Sequence, residues 1–136
     1  FMMNTQEAQG FAGKWLPAWT GNRPEELLEF YAEDVFYLDP GIPSGVKGKA
    51  ELRTYFVKLL AQNPDWVWTQ IEAIPLEGGF LNKWLAKIPM GDKVVECIGV
   101  CLVQFNEKRE IQRNEVYFDR SRLLAEIQAL QATRKT

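Results

Sequence analysis

The sequence predicts a protein of the α+β class, with helices in the first half of the chain and a mainly antiparallel sheet in the second. Apolar side chains recur every three or four residues over 5–20, 22–31 and 49–62, and this spacing predicts three helices. Further along the chain apolar and polar residues alternate, which predicts strands. A helical spacing returns at Asp119. With 136 residues and no internal repeat, the chain fits one domain, which we place at 4–136.

Turn and capping residues set the ends of the predicted helices. Thr20, Gly21 and Asn22 end the first helix, and Asn22 is positioned to cap the second, which has Pro24 in its first turn. Asn63 and Pro64 follow the third helix and cannot continue it. Asp119 is the candidate cap of the last helix.

The strands are predicted from β-prone residues between turn signals. A short strand at 35–39 stops at Pro40 and Gly41, and the segment 40–48 is so rich in proline and glycine that we expect a loop at the mouth of the fold. Four longer strands joined by short turns follow, at 66–74, 80–88, 93–105 and 110–118.

The residue content excludes several kinds of catalytic site. The sequence has no histidine, so a Ser-His-Asp triad, an imidazole base or a histidine-ligated metal cannot be built from this chain. Its two cysteines, Cys97 and Cys101, lie four residues apart on one predicted strand. That spacing separates them by roughly 13 Å, too far for a disulfide. We expect buried thiols in a reducing compartment, with no metal and no cofactor.

Charge and hydropathy limit the partners. Sixteen basic and 18 acidic side chains give a net charge of -2, so nothing draws the protein toward nucleic acid or anionic membranes. No apolar run approaches the ~20 residues that span a bilayer, and the first ten residues lack the pattern of a signal peptide. A cytoplasmic location is the resulting expectation.

Several short segments, in this order, resemble the SnoaL-like branch of the nuclear transport factor 2-like superfamily. The similarity covers residues 11–130 and rests on W-x3-W-x-G-N at 15–22, FYAEDVFYLDP at 30–40, GKAELRTYF at 48–56, PDW at 64–66 and RNEVYFDRSRLL at 113–124. It implies a cone-shaped barrel in which a curved sheet wraps around three N-terminal helices and a C-terminal helix follows. A deep pocket and a homodimer are also implied.

The resemblance implies a candidate base but not a complete enzyme site. In the ketosteroid isomerase branch an Asp base works beside a Tyr and a protonated Asp. By comparison, Asp39 takes the position of the base, Trp15 that of the Tyr and Cys101 that of the second Asp. An indole and a thiol are weak donors, so enolate stabilisation is largely lost. In the limonene epoxide hydrolase branch, the catalytic Arg and Asp residues fall on Lys83, Leu85 and Val116, which makes that mechanism improbable.

Two candidate residues keep alternative interpretations. Asp39 is either a general base, as a SnoaL-type cyclase would use, or a strand-end residue that holds the turn at Pro40 and Gly41. The comparison places Lys83 on the pocket face, but Trp84 and its alternating neighbours offer an equally apolar face. Because lysines are rarely buried without a partner, the outward orientation of Lys83 is favoured.

The remaining pocket candidates are assigned by the same comparison. Asn114 either orients a polar group of a ligand or bonds a neighbouring backbone, and Gly99 leaves room for a ligand or sharpens a bend. For Trp66 and Trp68 we favour the core or a dimer interface. The full set of candidate pocket residues is Trp15, Trp19, Tyr31, Tyr55, Lys83, Gly99, Cys101, Asn114, Val116 and Phe118.

The function we expect is binding of a small apolar or ring-containing molecule, with isomerase or cyclase-type proton transfer through Asp39 as its catalytic form. The alternative is a protein without catalytic activity, either a ligand-binding protein or a dimeric scaffold. An apolar outer sheet face with Ile98, Val100 and Leu102 predicts the homodimer.

Overall fold

A computed structural model describes the backbone of residues 1–135 and the side chains of residues 1–133. The last residue of the predicted domain, Thr136, lies outside the described residues. The helices are α1 (Thr5–Trp15), α2 (Pro24–Leu28), α3 (Lys49–Gln62) and α4 (Ser121–Lys135). The strands are β1 (Tyr31–Asp39), β2 (Ile42–Lys47), β3 (Val67–Leu76), β4 (Gly79–Met90), β5 (Lys93–Phe105) and β6 (Ile111–Tyr117).

The six strands form one curved sheet in the order β2-β1-β6-β5-β4-β3. Strands β3 to β6 follow one another as antiparallel neighbours, as the alternating pattern predicted. Strand β1 adds to β6 in parallel, and β2 pairs antiparallel with β1 at the edge. The α+β class and the mainly antiparallel sheet are therefore confirmed.

The predicted second helix is wrong beyond Leu28. Tyr31 begins β1, because it pairs with Ile111 of β6. The backbone N–H of Ile111 donates to the carbonyl of Phe30. Asn22 does not cap this helix: it has a positive φ of 55°, and Arg23 occupies the cap position. Pairing with the sheet thus overrides the local helical spacing.

Two further boundaries differ from the prediction. The first helix is α-helical only to Trp15 and continues as a 3-10 turn over Leu16–Trp19, since Pro17 supplies no backbone N–H. The predicted loop at 40–48 contains strand β2, which returns along the free edge of β1 after a tight turn at Pro40 and Gly41. That turn, and not the whole segment, borders the cavity described below.

The core lies between the concave face of the sheet and helices α1 to α3. Its largest fully buried side chains are aromatic: Trp15, Tyr31, Tyr37, Phe56, Phe80 and Trp84. The first three residues, left outside the predicted domain, also pack onto the fold. Met3 is buried, Met2 pairs with Glu77, and the carbonyl of Phe1 accepts from the N–H of Gly78. In the part of the chain described here, no helix is long and apolar enough to cross a membrane.

Candidate functional site

A cavity of about 420 Å³ lies between the concave sheet face, the end of α1, helix α3 and helix α4. Its aromatic wall consists of Trp15, Trp19, Tyr37, Tyr55, Trp66, Trp68, Trp84 and Phe118. All five tryptophans of the chain belong to this wall. A cavity of this size with a mainly aromatic wall has the dimensions of a site for a small organic molecule.

Asp39 forms the polar end of the cavity, where its carboxylate is closely surrounded by donors. The hydroxyl of Tyr37 donates to Oδ2 at 2.7 Å, and that of Tyr55 lies 2.8 Å from Oδ1 and 2.9 Å from Oδ2. The backbone N–H groups of Gly41 and Ile42 donate to Oδ1 at 2.7 and 3.2 Å. Asp39 therefore holds the turn between β1 and β2, as one of its two interpretations predicted.

The tyrosines around Asp39 stay protonated at neutral pH. Burial raises the pKa of Tyr37 well above 10.0, and the negative charge of Asp39 raises it further. Burial and the hydrogen bond to Asp39 likewise raise the pKa of Tyr55. Both hydroxyls are therefore stable donors to the carboxylate.

A chain of buried hydrogen bonds runs from the cavity wall to the sheet. Nε1 of Trp15 donates to the hydroxyl of Tyr31 at 3.3 Å, which donates to Oδ1 of Asn114 at 2.9 Å. Nδ2 of Asn114 donates to the carbonyl of Leu102 at 3.1 Å. Trp15 lines the cavity, whereas Tyr31 and Asn114 lie behind it, fully buried. Tyr31 and Asn114, both predicted to line the pocket, therefore lie outside the cavity wall, and the polar atoms of Asn114 bind the Tyr31 hydroxyl and the Leu102 backbone.

Gly99 shapes the cavity indirectly. A Cβ at this position would lie 2.4 Å from Cζ2 of Trp84 and 2.7 Å from Cβ of Phe118. The missing side chain therefore makes room for Trp84, whose ring packs edge-on against Phe118 and Trp68. Gly99 is not itself part of the wall; the space it provides is filled by the indole.

Lys83 is not a pocket residue. Its side chain is exposed on the outer sheet face, while its neighbours Asn82 and Trp84 are buried on the inner face. Side chains alternate along β4, so Lys83 and Trp84 point to opposite faces of the sheet. Trp84 takes the inner face because burial of its indole is favourable, whereas burial of an unpaired ammonium group is not. The outward orientation favoured for Lys83 is therefore the one that the structure has.

Of the other predicted pocket residues, Trp19, Tyr55, Cys101, Val116 and Phe118 line the cavity. Burial raises the pKa of Cys101 to about 12, so this thiol is not a nucleophile at neutral pH. Both cysteines are free and buried. Among the described residues no group of three or more His, Cys, Asp or Glu side chains could hold a metal ion.

The sequence interpretation missed several residues of the site. Trp66 and Trp68 line the cavity although we favoured the core or a dimer interface. Lys58 and Arg120 stand at its rim, and α4 covers it with Leu123, Leu124 and Ile127. The apolar spacing in the last helix signalled a packed face, but nothing in it identified what that face covers.

Trp19 has an unusual environment. It is 7% exposed, and its Nε1 is a buried donor without a hydrogen-bond partner among the side chains described. Buried N–H groups are nearly always paired, so this unpaired donor is an exception in the interior of the protein.

Comparison with known proteins identifies the family. The sequence profile of the SnoaL-like domain matches residues 12–109, which is most of the chain. The protein belongs to the SnoaL-like domain family. The curved sheet, the N-terminal helices and the C-terminal helix agree with this assignment. No curated protein matches the sequence.

Solved structures with this fold are similar over nearly the whole chain. A protein from Catenulispora acidiphila DSM 44928 with a ketosteroid isomerase-like fold, in complex with trimethylamine, has a TM-score of 0.74 and 21% identity, covering 90% of this chain and 93% of its own. A SnoaL-like protein of unknown function from Burkholderia thailandensis E264 has a TM-score of 0.71 and 17% identity, with 88% and 99% covered. An isomerase candidate of the SnoaL-like family from Agrobacterium tumefaciens strain C58 has a TM-score of 0.68 and 18% identity, with 84% and 98% covered.

Proposed function

We propose that this protein binds a small, ring-containing apolar molecule in the cavity. The observation that carries the proposal is the wall itself, which brings all five tryptophans around a space of about 420 Å³. Aromatic faces and edges favour stacked and edge-on contacts with another ring. The trimethylamine complex of the Catenulispora protein supports the proposal, because it shows a small organic molecule bound to a protein of this fold.

A ligand panel followed by thermal unfolding tests this proposal. A ligand at a hundredfold excess over its Kd stabilises the native state by about 2.7 kcal/mol. The matched variants are Val116→Trp, which fills the cavity, and Val94→Trp, which adds the same bulk at an exposed position. We expect ring compounds to raise the Tm of the wild type and of Val94→Trp but not of Val116→Trp. Equal shifts in all three proteins would contradict binding in the cavity.

Proton transfer through Asp39 is the second candidate function, and the position of this carboxylate in the cavity lining favours it. Against it, both carboxylate oxygens already accept hydrogen bonds, so one donor must move before a substrate proton can be taken. Movement of Tyr55 would free an oxygen toward the cavity, since this ring is only half-buried. Binding without chemistry is therefore the function that the geometry favours.

Proton transfer through Asp39 is tested with an activated 1,3-dicarbonyl substrate and the Asp39→Asn variant. Without a strong oxyanion hole, only acidic carbon protons are within reach of such a site. If Asp39 is the base, Asp39→Asn abolishes exchange of the substrate C–H proton. Exchange that persists at the wild-type rate would leave Asp39 with the turn as its only role.

We also propose that the protein is a homodimer that packs through the outer sheet face. Ile98 and Tyr117 are 60% and 51% exposed there, beside the partly exposed Val100 and Leu102. A contiguous apolar surface of this kind is typical of an interface. Sedimentation should show a dimer for the wild type and a monomer for Ile98→Lys. A wild type that sediments as a 15.7 kDa monomer at micromolar concentration would contradict the proposal.

A further inference from the structure

The charges around the cavity do not balance. Its lining contains one carboxylate, Asp39, and two cationic side chains, Lys58 and Arg120. Lys58 is exposed at the rim on α3, and Arg120 is partly buried between β6 and α4. The polar end of the cavity therefore carries a net positive charge.

Asp39 does not neutralise either cation directly. Its hydrogen bonds come from Tyr37, Tyr55 and two backbone N–H groups, all of them neutral donors. Within the described side chains, neither Lys58 nor Arg120 forms a salt bridge or a side-chain hydrogen bond. Both cations are therefore free to bind a group supplied by a ligand.

Arg120 is placed where such a group would lie. One of its guanidinium nitrogens is 3.7 Å from the position that a Cβ on Gly41 would take, and that position is 3.0 Å from the hydroxyl of Tyr55 and 3.1 Å from Oδ1 of Asp39. The guanidinium thus stands beside the turn that closes the polar end of the cavity. A planar guanidinium is suited to a carboxylate, which it can bind through two parallel hydrogen bonds.

The acceptor oxygens of Asp39 are not available to a ligand. Tyr37, Tyr55 and the backbone N–H groups of Gly41 and Ile42 already donate to them. The side-chain amides of Gln62 and Asn63 at the rim are neutral, and each has both a hydrogen-bond donor and an acceptor. A complementary ligand must therefore bring acceptors and negative charge, not donors.

We propose that the ligand is an amphipathic acid, with an apolar ring body against the tryptophans and a carboxylate at Arg120 and Lys58. This inference rests on the proposed binding function and adds the class of ligand. The body is recognised by the aromatic wall through ring contacts, and because aromatic faces favour cations, the preference for an acid has to come from Arg120 and Lys58. The carboxylate fixes the orientation of the ligand, with its acidic end toward the turn at Gly41.

Three probes with one naphthalene body test the inference by calorimetry: 2-naphthoate, 2-naphthalenemethanol and 2-naphthylmethylammonium. We expect the acid to bind at least about tenfold more tightly than the alcohol, as a charge-assisted hydrogen bond allows, and the ammonium to bind most weakly. Arg120→Gln should remove most of the preference for the acid and leave the affinity for the alcohol within about threefold. Arg122→Gln is the control, because Arg122 lies two residues further along the chain, in the first turn of α4, is exposed and does not line the cavity.

The outcomes separate this inference from the proposed function. Equal affinity for acid and alcohol, or tightest binding of the ammonium, would overturn the amphipathic acid while leaving ligand binding intact. An acid preference that survives Arg120→Gln and Lys58→Gln together would also overturn it. If none of the three probes binds, the proposed binding function fails and the inference fails with it.

Discussion

The hydroxyl of Tyr55 bridges both oxygens of the Asp39 carboxylate, at 2.8 and 2.9 Å. Tyr55 belongs to α3 and Asp39 to the end of β1, so this contact fixes the helix over the turn that closes the cavity. The same carboxylate accepts from Tyr37 on its own strand. The polar end of the cavity is thus a structural unit that the fold itself maintains.

Tyr55→Phe should lower the free energy of unfolding by about 1–3 kcal/mol, because the variant removes a hydrogen bond to a charged acceptor. Urea denaturation measures the change. Ser121→Ala is the control: the hydroxyl of Ser121 also donates to a carboxylate, that of Asp119, but both side chains are exposed. We expect the control to lose less than about 1 kcal/mol. Equal losses of unfolding free energy would show that the hydrogen bond of Tyr55 stabilises the protein no more than an exposed one does.

Asn114→Ala should destabilise the protein by about 2–4 kcal/mol. The substitution leaves the buried hydroxyl of Tyr31 and the carbonyl of Leu102 without their partner. Gln112→Ala removes an exposed amide from the same strand and should cost less than about 0.5 kcal/mol. A small effect at Asn114 would mean that the hydrogen-bond chain behind the cavity contributes little.

Gly99→Ala should cost about 1–3 kcal/mol or more, since the new methyl group overlaps the ring of Trp84. Combining it with Trp84→Leu should give a loss smaller than the sum of the two single losses, because the smaller side chain vacates that space. The control is Gly13→Ala in α1, where a Cβ would meet nothing within 4 Å. It should stabilise the helix by about 0.5–1 kcal/mol. Additive losses at Gly99 and Trp84 would contradict the packing account.

The stability should fall in alkaline solution. Burial raises the pKa of Cys101 from 9.0 to about 12 and raises those of Tyr31 and Tyr37 above 10.0. In alkaline solution the folded state thus keeps protons that the unfolded chain releases. The contribution of these groups to the free energy of unfolding is therefore complete below pH 9 and is lost as the pH rises. Each withheld ionisation costs about 1.4 kcal/mol per pH unit.

Urea denaturation between pH 7 and pH 10.5 measures this loss. Cys101→Ala should reduce the slope between pH 9 and pH 10, where the thiol is the first of these three groups to ionise in the unfolded chain. A wild-type unfolding free energy that stays constant up to pH 10.5 would contradict the assignment of Cys101 and the tyrosines to the interior.

Local patterns predicted most of the fold. The period-two alternation after Trp66 located four strands, and the SnoaL-like segments implied their arrangement around helices. The prediction failed at Tyr31, where pairing with the distant strand β6 decides the structure and no local signal reports it. It also missed β2, which pairs with β1 across a tight turn although its proline and glycine content is typical of a loop. At Lys83 the family comparison indicated the pocket face and the rarity of buried lysines favoured the outer one, because both faces of β4 are apolar enough to be the inner face; the side chain lies on the outer face.

The site could be predicted less well than the fold. Asp39 was found because its turn and its position in the family pattern coincide. Its two tyrosine donors come from different elements, and their hydroxyls meet at one carboxylate only in three dimensions. Arg120 and the orphan indole of Trp19 depend on packing between helices and sheet, which leaves no mark in the sequence.

The indole region of a ¹⁵N–¹H spectrum tests the central claim most directly, since each of the five tryptophans gives one Nε1–H signal and all five line the cavity. Titration with 2-naphthoate should shift several of these signals along one saturable curve, with Trp19 among them because its ring lines the cavity. The same titration of Val116→Trp should leave the five native signals unchanged. Indole signals that do not move in the wild type, or that move equally in the filled variant, would contradict ligand binding in this cavity.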